Sequence, residues 1–435
     1  MSIFTSFLLF FSFPPFGLWY LAFFSFFPLF FICKRNNFLS NFFYGFISGF
    51  IFYSLSLFWL KGLAGFVYLL LPFYLAIYWA IFIFLIFSFD ERKILFLGGC
   101  IWIFLEIIMA NLLTGFPWLI LGLTQYNNPY ILKVAKFTGS YGLSFIIIGF
   151  NLFLYTLSKR KFSLQQIFFI LFTASLFLLT KIPQEKNFKE NLNIVLIQPD
   201  FLPEKITLEE NKEKIILLLE KNLEKEKVDI VFFSEGAFQG NLFDNEDLLE
   251  MLKSMSEKYK CGILIGCFTG NNEDLYNSTV FINEGDIKIY NKIHLVPYGE
   301  FILGRRFKFI KNTFLKIAGY EPNLKSGSLF KIFEYKNIKF STLICYENIF
   351  SYMVDKFMEK EVDFFVVVTN DSWFGDTIGP YQHFYHNILR SVETGRYFLQ
   401  IGLTGVTGII NPDGIVESIL EINGKKLFVE GSLIY

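Results

Sequence analysis

The stretch Phe340-Ser-Thr-Leu-Ile-Cys345-Tyr-Glu-Asn-Ile-Phe350 carries an apolar run up to a cysteine and then turns polar. A short apolar run of this kind reads as a buried strand, and Tyr346 to Phe350 can start a helix. A cysteine at such a strand-to-helix turn is exposed, with neighbouring backbone N–H groups aimed at the carbonyl it would attack. A helix N-terminus also lowers a thiol pKa. Taken alone, Cys345 reads more simply as a buried structural cysteine. Its surroundings in the sequence decide otherwise.

Outward from this stretch, the pattern alternates strand and helix. Residues 193–198, 230–234, 262–268, 279–283, 364–369, 398–403 and 408–411 read as further strands, and 340–345 as the one ending at Cys345. Residues 208–227 and 247–259 have helical periodicity. Buried strands with intervening helices predict a layered α/β domain over residues 191–435. Residues 181–190 are polar and read as a linker.

The first 180 residues are of another kind. A spanning helix needs about 20 mostly apolar residues. Seven segments qualify or nearly so: 2–13, 16–32, 38–60, 63–89, 94–113, 129–157 and 163–180. A signal peptide is disfavoured for the first, which has no basic leader and no small-residue cleavage site. The fold class expected is an all-α transmembrane bundle of about seven helices, residues 1–180, followed by the α/β domain.

Charge orients that bundle. Lys34, Arg35, Arg92, Lys93, Lys159, Arg160 and Lys161 fall in alternate loops, and the other loops hold only Lys61, Lys133 and Lys136. The positive-inside rule places the richer loops in the cytoplasm, so seven spans deliver the second domain outside it. Residues 1–180 hold ten Lys and Arg against three Asp and Glu, a net of +7; residues 181–435 hold 29 against 36, a net of −7. An acidic soluble domain argues against a nucleic-acid partner. Glu106, inside the fifth segment, is either a capped or interfacial carboxylate near a helix end or a functional group.

Cys261 and Cys267 bracket one predicted strand, about 20 Å apart at ~3.3 Å per residue, too far to pair with each other. His294, His383 and His386 are the only histidines, and no metal site is expected.

Two more residues stand out beside Cys345. Glu235 ends Val231-Phe-Phe-Ser-Glu235, where open α/β sheets place their sites. Lys292 follows a short strand in Tyr290-Asn-Lys-Ile-His-Leu-Val-Pro-Tyr-Gly-Glu300. Each has a plain reading as a solvated charge at a strand end. Together, Glu, Lys and Cys in that order, each at a strand end, resemble the nitrilase superfamily. That resemblance implies an αββα sandwich, with Glu235 as general base, Lys292 as triad lysine and Cys345 as nucleophile.

The membrane half narrows the resemblance. Phe11-Ser-Phe-Pro-Pro-Phe-Gly17, Gly115-Phe-Pro-Trp118 and Tyr141-Gly-Leu-Ser-Phe145 are similar to the membrane part of the apolipoprotein N-acyltransferase family. His294-Leu-Val-Pro-Tyr-Gly-Glu300, Cys345-Tyr-Glu347, Asn370-Asp-Ser-Trp-Phe-Gly375, Gly379-Pro-Tyr-Gln-His383 and the turn Tyr276-Asn277-Ser278 resemble its soluble part. The resemblance implies transfer of a fatty acyl group from a membrane phospholipid, through a Cys345 thioester, to the N-terminal amine of diacylglyceryl-cysteine on a lipoprotein. It implies no cofactor, a monomer, a bacterial inner membrane and a catalytic domain on the extracytoplasmic side. Glu300, Tyr346, Glu347, Asn277, Asn370 and Trp373 fall on supporting or substrate-binding positions. A membrane-anchored amidase that delivers water to a C–N bond is the alternative.

The sequence departs from the family pattern in three places. Ser234 and Gly236 flank the base where Pro and Ser or Thr are usual. Ile206 lies nearest a position often held by Trp. The chain ends at Val429-Glu-Gly-Ser-Leu-Ile-Tyr435, where the family continues into a last transmembrane helix; C-terminal anchoring is therefore expected to differ.

Overall fold

The computed structural model describes residues 1–35, 37–90, 93–159, 164–180, 192–224, 227–271 and 274–435. The expected linker, residues 181–190, lies outside the described residues, as do Arg92, Arg160 and Lys161 of the orienting charges. The chain divides into two compact units, Met1–Glu185 with Trp373–Gly395, and Lys186–Ser372 with Arg396–Tyr435.

The first unit is helical. Four stretches are long and apolar enough to cross a membrane: Phe38–Ser56, Phe58–Ile86, Ile94–Thr114 and Leu132–Ser158. Ser2–Ser12, Trp19–Ile32 and Leu164–Leu179 are shorter apolar helical stretches. Together they account for the seven expected segments. Phe38, Phe43, Phe73, Phe96, Phe104 and Phe168 are exposed on their outer faces, as suits side chains solvated by lipid. The protein is a membrane protein with a helical N-terminal region.

From the last turn of the third long stretch toward the fourth the backbone is irregular, with three short 3-10 turns over Leu112–Thr114, Pro117–Leu119 and Leu121–Gln125. Irregular backbone at membrane depth must find its partners inside the protein. Glu106 supplies one: buried, it accepts from the Leu121 N–H at 2.7 Å and from the Trp102 indole at 2.9 Å. It faces neither lipid nor the helix end but ties the irregular stretch to its own helix.

The helix Gly379–Thr394 belongs to this unit although it lies late in the chain. Beside apolar Phe384, Ile388, Leu389 and Val392 it buries a row of polar side chains. Gln382 Oε1 accepts from both the Trp59 and Trp118 indoles, at 3.1 and 2.8 Å. His386 Nε2 lies 2.8 Å from the Trp118 carbonyl. Glu393 accepts from the Ser140 N–H at 2.7 Å and pairs with buried Arg390 at 3.1 Å.

The second unit is an αββα sandwich of two six-stranded sheets. The strands are β1 (Ile194–Gln198), β2 (Ile230–Phe233), β3 (Gly262–Gly270), β4 (Leu275–Asn283), β5 (Asp286–Asn291), β6 (Phe333–Tyr335), β7 (Ile338–Ile344), β8 (Phe364–Thr369), β9 (Tyr397–Gly402), β10 (Gly408–Ile410), β11 (Val416–Ile419) and β12 (Gly431–Ile434). One sheet runs β12-β1-β2-β3-β4-β5, the other β11-β10-β9-β8-β7-β6. The centre of each is parallel, β1-β2-β3 and β7-β8-β9, and the outer pairs are antiparallel.

Alternation along the strands fixes which side chains meet. Val231 and Phe233 of β2 face the outer helices Leu208–Leu223 and Glu246–Tyr259. Phe232, the residue between, faces the other sheet, its ring 5.5 Å from Phe340 of β7. Because both faces of the parallel strands are buried, they read as continuous apolar runs. Thr279 and Thr342, whose hydroxyls lie 2.8 Å apart, join the sheets by a buried bond. Phe365 points the other way, toward Phe357 of the helix Ser351–Met358. All five cysteines are free.

Candidate active site

Cys345 stands directly after β7, and its backbone takes φ +53°. A non-glycine residue in the left-handed region costs of order 1–3 kcal/mol and persists only where its surroundings impose it. Here a 3-10 turn, Cys345–Ile349, follows at once, and the Glu347 side chain folds back to accept from the Ile344 N–H at 2.8 Å. The sharp turn leaves Cys345 half-buried while Tyr346 and Glu347 are buried. The helix expected from Tyr346 therefore begins later, at Ser351.

Glu235 stands just beyond the end of β2. Gly266 on β3 makes that position possible. A Cβ there would fall 2.4 Å from the Ser234 carbonyl and 2.7 Å from Glu235 Cα. The Glu235 carboxylate is fully engaged: Oε1 accepts from Asn277 Nδ2 at 2.7 Å, and Oε2 from the Asn370 N–H at 2.7 Å. Gly236, which follows, has φ +58°, a conformation glycine adopts freely.

Lys292 follows β5, with its backbone held at both ends: its N–H donates to the Asn277 carbonyl and its carbonyl accepts from the Gly327 N–H. Its ammonium, 1% exposed, lies 2.9 Å from Glu300 Oε1 and 3.5 Å from Glu235 Oε1. Burial works against that charge, but Glu300 and Glu235 outweigh it and hold Lys292 above the usual lysine range. Asn277 also donates to Glu300 at 2.9 Å. Glu300 Oε2 in turn accepts from the Val296 N–H at 2.7 Å, which folds the loop after Lys292 onto it.

Glu347 is the second knot. Besides Ile344 it accepts from the N–H groups of Ile293 and His294, at 2.7 and 3.0 Å, and from the Tyr290 hydroxyl at 3.0 Å. One carboxylate thus ties the Lys292 loop to the Cys345 turn. Burial pushes it up to about 7 against those hydrogen bonds. The Cys345 thiol is held well above its ordinary range, first by burial and then by Glu235, with Lys292 opposing.

Eight of the nine candidate residues therefore lie in the second unit. The ninth, Trp373, is 57% exposed and is counted with the first. Tyr290, Thr369 and Asp371 also reach these groups and were not singled out. Asp371 lies inside the quoted Asn370 stretch, but Tyr290 reads as an ordinary core aromatic.

Residues 195–426 match the carbon-nitrogen hydrolase family and residues 5–153 the apolipoprotein N-acyltransferase N-terminal domain. The apolipoprotein N-acyltransferase of Wigglesworthia glossinidia brevipalpis is 30% identical over 94% of this chain and 86% of that protein. The chain belongs to the apolipoprotein N-acyltransferase family. The protein of that name from Aquifex aeolicus is 30% identical over 96% of this chain and 94% of its own length. That from Geobacter metallireducens is 27% identical over 100% of this chain and 90% of its own. The family spans both units, which a soluble hydrolase resemblance alone does not.

Proposed function

We propose that the protein transfers a fatty acyl group from a membrane phospholipid to the N-terminal amine of diacylglyceryl-cysteine on a lipoprotein, through a thioester on Cys345. Family membership over the whole chain gives the reaction class and makes lipid and lipoprotein the substrates. The observation that carries the residue assignment is the cluster in which Lys292 lies 3.5 Å from Glu235 and both charges act on the Cys345 thiol.

In the first half-reaction Glu235 takes the Cys345 proton and the thiolate attacks the ester carbonyl. Lys292 and the Tyr346 N–H receive the developing oxyanion, a term often worth about 2.7–4 kcal/mol per donor. The C–O bond breaks, the lysophospholipid leaves with the proton from Glu235, and a thioester remains. In the second, the acceptor amine attacks that carbonyl and gives its proton to Glu235. The C–S bond breaks, and Cys345 recovers the proton. Asn277, Glu300 and Glu347 orient the lysine and the base, Asn370 holds the base by its N–H, and Trp373 contributes to the acyl side. The protein acts as a monomer in the bacterial inner membrane, with its catalytic domain outside the cytoplasm. A water-delivering amidase is not favoured, because the family match runs through the membrane half.

Membranes holding the protein are incubated with acyl-labelled phospholipid. The wild type should carry thioester-linked label, and Cys345→Ala none; lipoprotein N-acylation by Cys345→Ala would refute the nucleophile. Glu235→Gln should slow the label's appearance about 10²–10⁴-fold, and a near-normal rate would remove Glu235 from its role. Rapid loss of label to water without an acceptor would favour the amidase.

A further inference from the structure

The strand ladder that leads to Glu235 stops before it. β2 pairs with β1 as far as Phe233 and with β3 as far as Phe232. The chain rejoins β3 at Phe238, whose N–H donates to the Gly266 carbonyl at 3.1 Å, and at Asn241, which bridges to Phe268. Glu235 therefore sits in an excursion between Phe233 and Phe238, outside the paired register. The excursion turns sharply: Gly236 takes φ +58°, and the Ala237 N–H returns to the Ser234 carbonyl at 3.3 Å. One side chain takes up two further groups of this turn. Asn211 Nδ2 donates to the Ala237 carbonyl at 2.8 Å, and Asn211 Oδ1 accepts from the Gln239 N–H at 2.9 Å. Gln239 adds a tie of its own, from Nε2 to the Gly236 carbonyl.

Asn211 is 0% exposed and stands in the first turn of the helix Leu208–Leu223. Asn is a poor residue for a helix interior, and burying an amide is costly unless it is hydrogen-bonded. Here the side-chain amide does what a peptide group of a neighbouring strand would do, giving one N–H and taking one. Asn277, Asn370 and Lys292 hold Glu235 by its carboxylate. They fix the end of the side chain, whereas the backbone it springs from is set by the turn. We infer that Asn211 is a positioning residue for the base. Through the Ala237 carbonyl and the Gln239 N–H it holds the turn that sets where the Glu235 carboxylate meets the Cys345 proton.

The inference rests on Glu235 as the base, and the experiment separates the two. The full chain in detergent micelles is given increasing mole fractions of acyl-labelled phospholipid, and thioester formation is followed in single turnovers. Wild type, Asn211→Ala, Glu235→Gln and the double variant are compared. A misplacement of about 1 Å can cost about 10²-fold, so Asn211→Ala should slow the maximal rate about 10- to 100-fold and leave the half-saturating phospholipid fraction within about twofold. In the Glu235→Gln background no carboxylate remains to be aimed, and the same change should cost less than about twofold. Gln239→Ala, at a half-buried position, should slow the rate about fivefold with the same dependence on Glu235, and it carries the test if Asn211→Ala does not fold. A folded variant within about twofold of wild type overturns the inference. So does equal slowing in both backgrounds, which marks an ordinary loss of structure. A near-normal rate for Glu235→Gln alone removes the base itself, and the positioning role falls with it.

Discussion

Asn277 holds two carboxylates with one amide, Glu235 Oε1 at 2.7 Å and Glu300 Oε1 at 2.9 Å. Those two acids share a single buried ammonium, Lys292. Like charges this close repel unless donors stand between them, and hydrogen bonds to charged groups are worth about 1.5–3 kcal/mol. Asn277→Ala should therefore let the pair separate, lower the rate of thioester formation about 10- to 100-fold and cost the folded protein about 1–3 kcal/mol. Asn277→Asp should be worse, since it adds a third negative charge. A rate within threefold of wild type for Asn277→Ala would mean that Lys292 alone fixes the pair. Asn277 was legible only through resemblance. It is a central residue of β4, and no spacing rule links it to an acid 42 positions earlier.

At the scale of elements, the central strands were legible because both of their faces are buried, so Val, Ile, Leu and Phe run on without interruption. The short outer strands β6, β11 and β12 were not, because edge strands of three or four residues carry too few apolar positions to stand out. The turn at Cys345 was legible in place but not in form. Its positive φ is imposed by Glu347, which gathers donors from Ile344, Ile293, His294 and Tyr290. That carboxyl is raised to about 7 by burial. The sign of the linkage follows: between about pH 4.5 and 7 the folded protein holds a proton that the unfolded chain has released, so Glu347 makes stability fall as pH rises through that window. Glu347→Gln cannot titrate. The stability advantage of wild type over this variant should therefore grow by up to about 3 kcal/mol as pH is lowered from 7 to 4.5. Thermal unfolding in detergent at several pH values reads this, and a gap that narrows on acidification would contradict it.

For the whole molecule, composition separated the membrane half from the α/β half, because lipid admits Phe-rich surfaces that water does not. It could not reveal that Trp373–Gly395 joins the first unit. That helix buries Phe384, Ile388, Leu389 and Val392 alongside Gln382, His386 and Arg390, and nothing in its composition distinguishes it from the helices of the α/β half. What ties it to the first unit is polar, bonds from indole N–H groups and to a backbone carbonyl. Orientation in the membrane rests on charge alone. If the loops rich in Lys and Arg face the cytoplasm, single cysteines placed in a cysteine-free chain at the exposed positions Lys34, Lys133 and Glu257 will differ in access. An impermeant maleimide should label positions 133 and 257 in bacteria with a permeabilised outer membrane, and position 34 only once the inner membrane is opened. A bacterial phospholipid outer leaflet and a lipoprotein acceptor would then both meet Cys345 on one side. Labelling of position 34 in cells with an intact inner membrane would reverse the orientation and move the proposed acyl transfer to the cytoplasmic face.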